Sequence, residues 1–381
     1  MFSKLYLIYG VILYEITSLY LIISMIKLAE IICTIGPSSI SEKTLIGLKT
    51  AGVDIFRINM SHADIDEIYK LQEIAKKLDI KLGIDTEGAQ IRTKIAKDKS
   101  KEITLNKGDE FVINITSKNS AKNELIKFYP ETVYERLEKD MLIRLDFNGA
   151  VVSVKEKSTS KIAFKCINGG VIGNNKGVDT INDQIELPDF TDKDLKSLNI
   201  AKSLGINEIF ISFCKSTDSI DLVRSINKNS RVTSKIESKL SIHNLESICR
   251  ESDAILIDRG DLTREISIMD IPFAQRSIIK VAINNSTPCY IATNVLDSLI
   301  KGDIPTRAEL NDIVGTLEMG ATGIVLAAET AIGRKPILCA EIVKELIHRY
   351  KLNKAGLLFT DLDRKEITDE KMKVWLNRNN K

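Results

Sequence analysis

The sequence predicts an α/β fold: a closed (β/α)8 barrel with a small β domain inserted after the third strand. Two observations predict the barrel. Short apolar runs rich in β-branched residues recur from residue 28 onwards, and amphipathic helical patterns lie between them. A third observation predicts the insertion, because the stretch between Gly88 and Pro188 contains no crossover helix of ordinary length.

Eight runs are the candidate barrel strands. Most are continuously hydrophobic, which is typical of parallel strands covered by helices on both faces. The candidates are EIICTI 30–35, DIFRIN 54–59, LGIDT 82–86, EIFISF 208–213, VTSKIE 232–237, AILIDR 254–259, CYIAT 289–293 and GIVLAA 323–328. Eight β–α units suit a TIM barrel, which takes about 250 residues.

Two helical patterns carry clear start and stop signals. SEKTLIGLKTAG (41–52) begins with a Ser N-cap and ends at a glycine, and TDKDLKSLNIAKSLG (191–205) begins with a Thr N-cap and also ends at a glycine. Such amphipathic segments between buried strands are the crossover helices that a parallel barrel needs.

The inserted stretch has the alternating pattern of short antiparallel strands. Segments 102–115, 140–157 and 160–177 contain or are separated by KG, NG and GG turn signals. The predicted organisation is therefore an apolar segment at 1–27, a barrel at 28–87 and 189–350, an inserted lid domain at 88–188, and a tail at 351–381.

Bulk composition excludes several classes of function. The 381 residues carry a formal net charge of only +2, which gives no electrostatic case for nucleic-acid binding, a function that needs a concentrated basic face. The six cysteines are scattered and form no C-x-x-C motif, which indicates reduced thiols and a cytoplasmic location. The three histidines (His62, His243 and His348) lie far apart, which argues against a histidine-rich zinc site.

The segment LYLIYGVILYEITSLYLIISMI (5–26) is long and apolar enough to cross a bilayer, although Glu15 lies near its centre. No small-residue cleavage site follows it, so it is a poor signal peptide. Three interpretations remain open: a membrane anchor, a buried N-terminal helix, or residues upstream of a working start at Met25. The run from Met25 directly into a strand favours the last.

Polar residues gather where the predicted strands end. In a β/α barrel these ends share one rim, and so many polar groups there would be costly without a ligand. The rim candidates are Arg57, Asn59, Ser61, His62, Asp85, Thr86, Arg92, Lys235, Glu237, Arg259, Gly260, Asp261, Thr293 and Asn294. Their chemistry predicts a metal-assisted reaction of a phosphorylated, carboxylated small molecule, through an enolate.

Residue types within this set divide by role. Glu237 and Asp261 are hard oxygen donors of the kind that Mg²⁺ prefers. Arg57, Arg92 and Lys235 are cations suited to a phosphate or a developing oxyanion. A further group offers oxygens to a monovalent cation: Asn59, Ser61, Asp85 and Thr86.

Seven segments, in this order, resemble the signature segments of the pyruvate kinase family. They are CTIGPSS 33–39, FRINMSHA 56–63, DTEGAQIRT 85–93, SKIES 234–238, RGDL 259–262, PTRAE 305–309 and ETAIG 329–333. The resemblance spans residues 28–350, and the inserted domain falls where the family has a mobile lid. It implies phosphoryl transfer from phosphoenolpyruvate to ADP, giving pyruvate and ATP, with Mg²⁺ or Mn²⁺ and with K⁺ as a further candidate.

The resemblance also implies a role for each matched residue. Lys235 would contact the phosphoryl group and the enolate oxygen, Arg57 the phosphoryl group, and Thr293 would help to protonate the enolate. Arg259, Gly260 and Asp261 would bind substrate, the first two through their backbone. Glu237 and Asp261 would hold the divalent metal, and Asn59, Ser61, Asp85 and Thr86 the potassium ion. Arg57, Asn59, His62, Arg92 and Lys176 would meet the nucleotide. The family further implies a homodimer formed through the barrel.

The chain departs from the family at several of these segments. DTKGPEIRT is here DTEGAQIRT, and the change at Gln90 puts potassium dependence in question. ARGDLG is here DRGDLT, which puts an extra carboxylate, Asp258, beside the metal pair. The residues after 350 are too few for the family's regulatory domain, so we expect no sugar-phosphate allostery.

Three functional hypotheses follow from the resemblance and from these departures. The first is an active, short and unregulated pyruvate kinase. The second is a barrel that binds phosphoenolpyruvate or pyruvate but has changed its phosphoryl acceptor. The third is a non-catalytic binding protein, tethered to a membrane through residues 5–26.

Overall fold

The computed structural model describes residues 29–95, 102–115, 125–146, 149–181, 185 and 187–354. The described residues form two compact units, one built from the chain up to Glu87 and from Asp192 onwards, the other from Gly88–Thr191. The apolar segment at 1–27 and all but the first four residues of the predicted tail at 351–381 lie outside the described residues.

Seventeen strands and thirteen helices are described. The strands are β1 Glu30–Ile35, β2 Ile55–Asn59, β3 Leu82–Asp85, β4 Arg92–Ile95, β5 Glu102–Leu105, β6 Glu110–Asn114, β7 Ile126–Tyr129, β8 Leu142–Leu145, β9 Val151–Lys157, β10 Lys161–Asn168, β11 Gly170–Gly173, β12 Val178–Thr180, β13 Glu208–Ile211, β14 Arg231–Ile236, β15 Ala254–Asp258, β16 Cys289–Ala292 and β17 Gly323–Leu326. The helices are α1 Glu42–Thr50, α2 Ile65–Leu78, α3 Val133–Arg136, α4 Asp192–Leu204, α5 Thr217–Ile226, α6 Lys239–His243, α7 Leu245–Glu251, α8 Arg259–Glu265, α9 Ile271–Asn284, α10 Ser298–Lys301, α11 Arg307–Glu318, α12 Ala328–Ala331 and α13 Pro336–Lys354.

Eight parallel strands close into a barrel in the order β1-β17-β16-β15-β14-β13-β3-β2. Every predicted barrel strand is present, and the predicted α/β fold with an inserted β domain is confirmed. A fully buried cluster drawn from six of the barrel strands forms one part of the core: Ile32, Ile55, Phe210, Ala254, Leu256, Tyr290, Ala292 and Val325. The other two strands, β3 and β14, contribute no residue to this cluster. They contain Gly83 in β3 and polar residues such as Asp85, Thr233 and Lys235.

Six barrel strands end one or two residues earlier than the sequence pattern predicts. Phe213 and Thr293 were predicted within strands, but both have left-handed backbone conformations, with φ of 51° and 72°. Arg259 was likewise predicted in a strand, but it begins α8, whose N-cap is Asp258. The backbone therefore turns at the rim where the candidate site residues lie, and hydrophobic periodicity carries no signal for such turns.

Local sequence signals account for the first barrel helix. The Ser41 hydroxyl caps α1 by accepting a hydrogen bond from the Thr44 N–H. Gly52 follows the helix with φ of 91°, a conformation that glycine adopts without strain. The capping residues therefore set where this helix begins and ends, and the burial of Leu45 and Leu48 defines its inward face.

A charged cluster occupies the N-terminal end of the barrel strands. Arg231, the first residue of β14, lies 3.0 Å from a Glu208 oxygen and 3.6 Å from a Glu30 oxygen. It also donates a hydrogen bond of 2.7 Å to the Tyr290 hydroxyl, which in turn donates to Glu30. These contacts join four barrel strands at the end opposite to the candidate site, and the carboxylates and Tyr290 hold the pKa of Arg231 above its ordinary value despite burial.

The second unit is built from antiparallel strands. Its largest sheet has the order β12-β8-β9-β10-β6, and two further pairs, β11-β5 and β4-β7, complete its described strands. Its core is aromatic: Phe111 stacks on Phe164, and Phe128 packs edge-on against Phe164. The Tyr134 hydroxyl accepts a hydrogen bond from the Phe128 N–H and ties the short helix α3 to β7.

No helix in the described ranges has both the length and the apolar character needed to span a membrane. All six cysteines are buried free thiols.

Candidate active site

Lys235 lies at the centre of a cluster of carboxylates at the C-terminal rim of the barrel. Its side chain is buried, and its Nζ lies 3.2 Å from Glu237 Oε2, 3.6 Å from Asp85 Oδ1 and 3.7 Å from Asp258 Oδ2. Burial alone would lower the pKa of Lys235, but the three carboxylates outweigh it and hold that pKa above its usual range. The ammonium group is therefore charged at neutral pH.

Glu237 is fully buried, and its two oxygens have different partners. The N–H of Phe213, in its left-handed conformation, donates a hydrogen bond of 2.7 Å to Oε1. Oε2 has no hydrogen-bond partner and faces Lys235. Burial, together with the nearby Asp258 and Asp261, raises the pKa of Glu237 to about 8 although Lys235 opposes the shift. A buried carboxylate with one unsatisfied oxygen is suited to a cation.

Arg57 is a second buried cation of the same rim. Its guanidinium donates to the Thr34 hydroxyl at 2.7 Å and lies 3.1 Å from Asp85 Oδ2. The group also lies over the Phe210 ring, 5.8 Å from its centroid. Its Nη1 and the Asp85 Oδ2 lack hydrogen bonds of good geometry, so this buried pair retains donor and acceptor capacity.

Thr293 is held in a strained conformation by its neighbours on β15 and α8. Its φ is 72°, and Asn294 follows with φ of 56°, values that β-branched residues in particular disfavour. The Thr293 hydroxyl donates a 2.6 Å hydrogen bond to Asp258, and the Arg259 guanidinium donates to the Thr293 carbonyl at 2.7 Å. A Cβ at Gly260 would lie 2.7 Å from Thr293 Cγ2, so only glycine fits there. Thr293 is therefore held at three points: its hydroxyl, its carbonyl and its methyl group.

Three carboxylates of this rim form a group suited to a divalent cation. Oxygens of Glu237, Asp258 and Asp261 lie within 4.8 Å of one another. Two ligands on opposite sides of a Mg²⁺ ion would lie about 4.2 Å apart, so small side-chain movements would bring these oxygens onto one ion. Burial and the adjacent Asp258 raise the pKa of Asp261, which also pairs with Arg264 at 3.2 Å. The predicted pair Glu237 and Asp261 therefore lies together, with Asp258 beside it.

The predicted monovalent-cation residues lie on adjacent strands β2 and β3 and the loops that follow. Asn59 is in register with Asp85, and the Asn59 side-chain oxygen accepts a hydrogen bond from the Ser61 N–H at 2.9 Å. The Thr86 hydroxyl accepts a hydrogen bond of 2.9 Å from the Ser212 N–H. Asp85 is already paired with Arg57 and Lys235, so its charge is shared between two cations.

Three further residues are predicted to contact the nucleotide. His62 is exposed in the loop after β2. Arg92 and Lys176 belong to the second unit: Arg92 donates to the Asn175 carbonyl at 3.2 Å, and Lys176 lies 3.9 Å from Asp146 Oδ2.

Two residues of the site escaped sequence analysis. Ser212 accepts a 3.0 Å hydrogen bond from Lys235, and its hydroxyl lies 2.6 Å from the Thr86 carbonyl oxygen. Glu329 is buried and accepts hydrogen bonds from the N–H groups of Val295, Leu296 and Ala327, which ties the loops after β16 and β17 together. A lone serine has no motif, but the ETAIG segment was a usable signal for Glu329.

Comparison with known proteins identifies one family. The family model described as "Pyruvate kinase, barrel domain" matches residues 26–340. Relatives named pyruvate kinase include one from Lactobacillus delbrueckii subsp. bulgaricus, 30% identical over 84% of this chain and 56% of the relative. Another, from Chlamydia muridarum, is 30% identical over 85% of this chain and 69% of the relative. A third, from Staphylococcus saprophyticus subsp. saprophyticus, is 32% identical over 81% and 54%. The chain therefore spans between about half and two thirds of the length of these relatives.

Proposed function

Because the chain belongs to the pyruvate kinase family, we propose that it transfers the phosphoryl group of phosphoenolpyruvate to ADP, giving pyruvate and ATP. One observation carries this proposal: a buried, charged Lys235 stands between three carboxylates, with Arg57 beside them, at the catalytic rim of the barrel. A fixed cation in a dry site stabilises negative charge that develops during a reaction far better than water does.

The residues have distinct tasks in this proposal. The ammonium of Lys235 and the guanidinium of Arg57 bind the phosphoryl oxygens and orient the group for in-line transfer. The bond between phosphorus and the substrate oxygen breaks as a bond to the β-phosphate oxygen of ADP forms. The electron pair left on the substrate gives the enolate of pyruvate, whose oxygen stays next to Lys235.

Protonation of the enolate completes the reaction. We assign to the Thr293 hydroxyl the positioning of the water molecule that delivers the proton to the methylene carbon, because the hydroxyl donates its own hydrogen to Asp258 and its oxygen can accept from this water. Bulk solvent returns the proton that the water gives up. We assign the substrate carboxylate to the backbone N–H groups at the start of α8, around Arg259 and Gly260, where the Gly260 N–H also donates to Asp258 Oδ1.

A divalent cation fits the acidic group described above. Glu237 and Asp261 would hold Mg²⁺ or Mn²⁺, which supplies charge neutralisation at the phosphoryl and enolate oxygens. Asn59, Ser61, Asp85 and Thr86 would hold K⁺ in the same proposal. His62, Arg92 and Lys176, together with Arg57 and Asn59, would contact the nucleotide. The homodimer and the cytoplasmic location stay predictions.

Pyruvate release from phosphoenolpyruvate with Mg²⁺ tests the proposal, measured with and without ADP and with and without K⁺. We expect release that depends on ADP. Release that is independent of ADP, or binding of phosphoenolpyruvate without any release, would refute it. Binding of phosphoenolpyruvate without release would instead favour a barrel that still binds this substrate but has changed its phosphoryl acceptor. The K⁺ comparison decides whether Gln90 is compatible with potassium dependence.

A further inference from the structure

Asp258 faces the same space as the metal-binding carboxylate of Glu237. The Lys235 ammonium lies 3.2 Å from Glu237 Oε2 and 3.7 Å from Asp258 Oδ2, so one cation already bridges the two oxygens. Glu237 Oε2 is buried and has no hydrogen-bond partner. Both oxygens therefore line one small, negatively charged space.

The second oxygen of Asp258 fixes the orientation of the carboxylate. Oδ1 accepts hydrogen bonds from the Thr293 hydroxyl at 2.6 Å and from the Gly260 N–H at 3.2 Å. The Asp258 carboxylate is therefore preorganised, with one oxygen committed to structure and the other facing Lys235.

Asp261 is less favourably placed than Asp258 to bind a cation. Its Oδ1 pairs with the Arg264 guanidinium at 3.2 Å, which offsets part of its charge. Its side chain is 34% exposed, whereas that of Asp258 is 13% exposed. Of the two aspartates, Asp258 has the more rigid and better shielded carboxylate.

From these contacts we propose that Asp258 is a direct ligand of the divalent cation, beside Glu237 and Asp261, and that it couples this cation to the position of Thr293. Through one carboxylate, Oδ2 binds the cation while Oδ1 holds the hydroxyl. The inference rests on the proposed function only in placing a divalent cation at this rim.

Binding of Mn²⁺ to the full-length protein tests the inference without any measurement of activity. The electron paramagnetic resonance signal of free Mn²⁺ gives the Kd for wild type, Glu237→Gln, Asp258→Asn and Asp258→Ala. Asp253→Asn is the matched control, because this aspartate precedes the opposite end of β15 and an asparagine can still accept from the Val232 N–H. Thermal unfolding by circular dichroism verifies that each variant is folded.

We expect the Kd to rise at least fivefold in both Asp258 variants and at least tenfold in Glu237→Gln, with less than a twofold change in Asp253→Asn. Asparagine keeps the acceptor for Thr293 but loses the charge, so its effect reports on metal ligation. A Kd within twofold of wild type in Asp258→Asn, alongside weakened binding in Glu237→Gln, would overturn this inference and leave the proposed metal pair intact. No change in either variant would overturn both.

Discussion

The Nζ atom of Lys235 lies 3.2 Å from Oε2 of Glu237, and both side chains are buried. The two residues stand two apart in the chain, so the end of a single strand supplies a cation and an anion to one place. A buried pair of this kind is weak evidence for stability, because desolvation of both charges offsets their attraction. Its position among further carboxylates and beside Arg57 is better explained by binding of a charged ligand.

Replacement of Lys235 by methionine removes the charge and keeps much of the side-chain volume. We expect Lys235→Met to lower kcat by about a hundredfold to a thousandfold, because one buried electrostatic contact to the transition state is worth roughly 3–4 kcal/mol. Steady-state pyruvate release measures the effect. Lys239→Met, at an exposed lysine of α6, is the control and should keep wild-type kcat. Activity of Lys235→Met within a few fold of wild type would remove Lys235 from the mechanism.

Glu237→Gln should raise the Mg²⁺ concentration needed for half-maximal activity by at least tenfold. The glutamine carbonyl can still accept the hydrogen bond from the Phe213 N–H, so the loop after β13 should remain in place while the anionic ligand is lost. A Mg²⁺ titration of the initial rate gives the answer. If the titration curve does not move, the metal is bound elsewhere.

Metal binding should depend on pH because the pKa of Glu237 is raised to about 8. Below that pH the metal-free carboxyl holds a proton that the cation must displace, and above it the group is already ionised. The Kd for Mg²⁺ should therefore fall about tenfold per unit as pH rises towards 8, and level off above it. Isothermal titration calorimetry in buffers of different ionisation enthalpy measures the Kd and the proton release together. An unchanged Kd between pH 6 and pH 8 would contradict this prediction.

Thr293 provides a pair of variants that separate its hydroxyl from its shape. Thr293→Val keeps the branched side chain but leaves Asp258 Oδ1 without its hydroxyl donor, so we expect a loss of about 1–3 kcal/mol in the free energy of unfolding. Pyruvate formation should fall at least tenfold. Thr293→Ser keeps the hydroxyl and should stay within about threefold of wild type. Equal activity of the two variants would show that the hydroxyl is not needed.

Glu329 should stabilise the fold, because its carboxylate accepts hydrogen bonds from three backbone N–H groups. Glu329→Ala leaves these donors of two loops without their partner, so we expect unfolding to become easier by about 3 kcal/mol or more. Urea unfolding followed by circular dichroism measures this change. Glu318→Ala, at an exposed position of α11, should change the free energy by less than about 0.5 kcal/mol. A small effect at Glu329 would mean that water replaces the carboxylate.

The barrel could be predicted from the sequence because its evidence is repeated eight times. Most of the strands are short apolar runs, and parallel strands buried on both faces leave that pattern regardless of loop details. The rim could be predicted only in part. Lys235, Glu237 and Asp261 have the charge expected of a catalytic site, whereas Ser212 is an ordinary serine whose importance follows from its contact with Lys235.

The ends of the strands were the least predictable part of the site. Phe213 and Thr293 continue the apolar or β-branched pattern of their strands, yet both adopt left-handed backbone conformations. The reason lies in tertiary contacts, since Phe213 must direct its N–H to Glu237 and Thr293 its hydroxyl to Asp258. Side-chain periodicity reports burial, and it carries no information about a hydrogen bond made between the ends of neighbouring strands.

The strand β14 has a charged residue near each end, Arg231 in the cluster at the N-terminal end and Lys235 at the rim. Because the two groups are four residues apart on an extended strand, roughly 13 Å separates them. The Arg231 contacts hold four barrel strands together, whereas the Lys235 contacts belong to the candidate active site. The two ends of one short strand therefore serve different purposes, one in the architecture of the barrel and one in the proposed function.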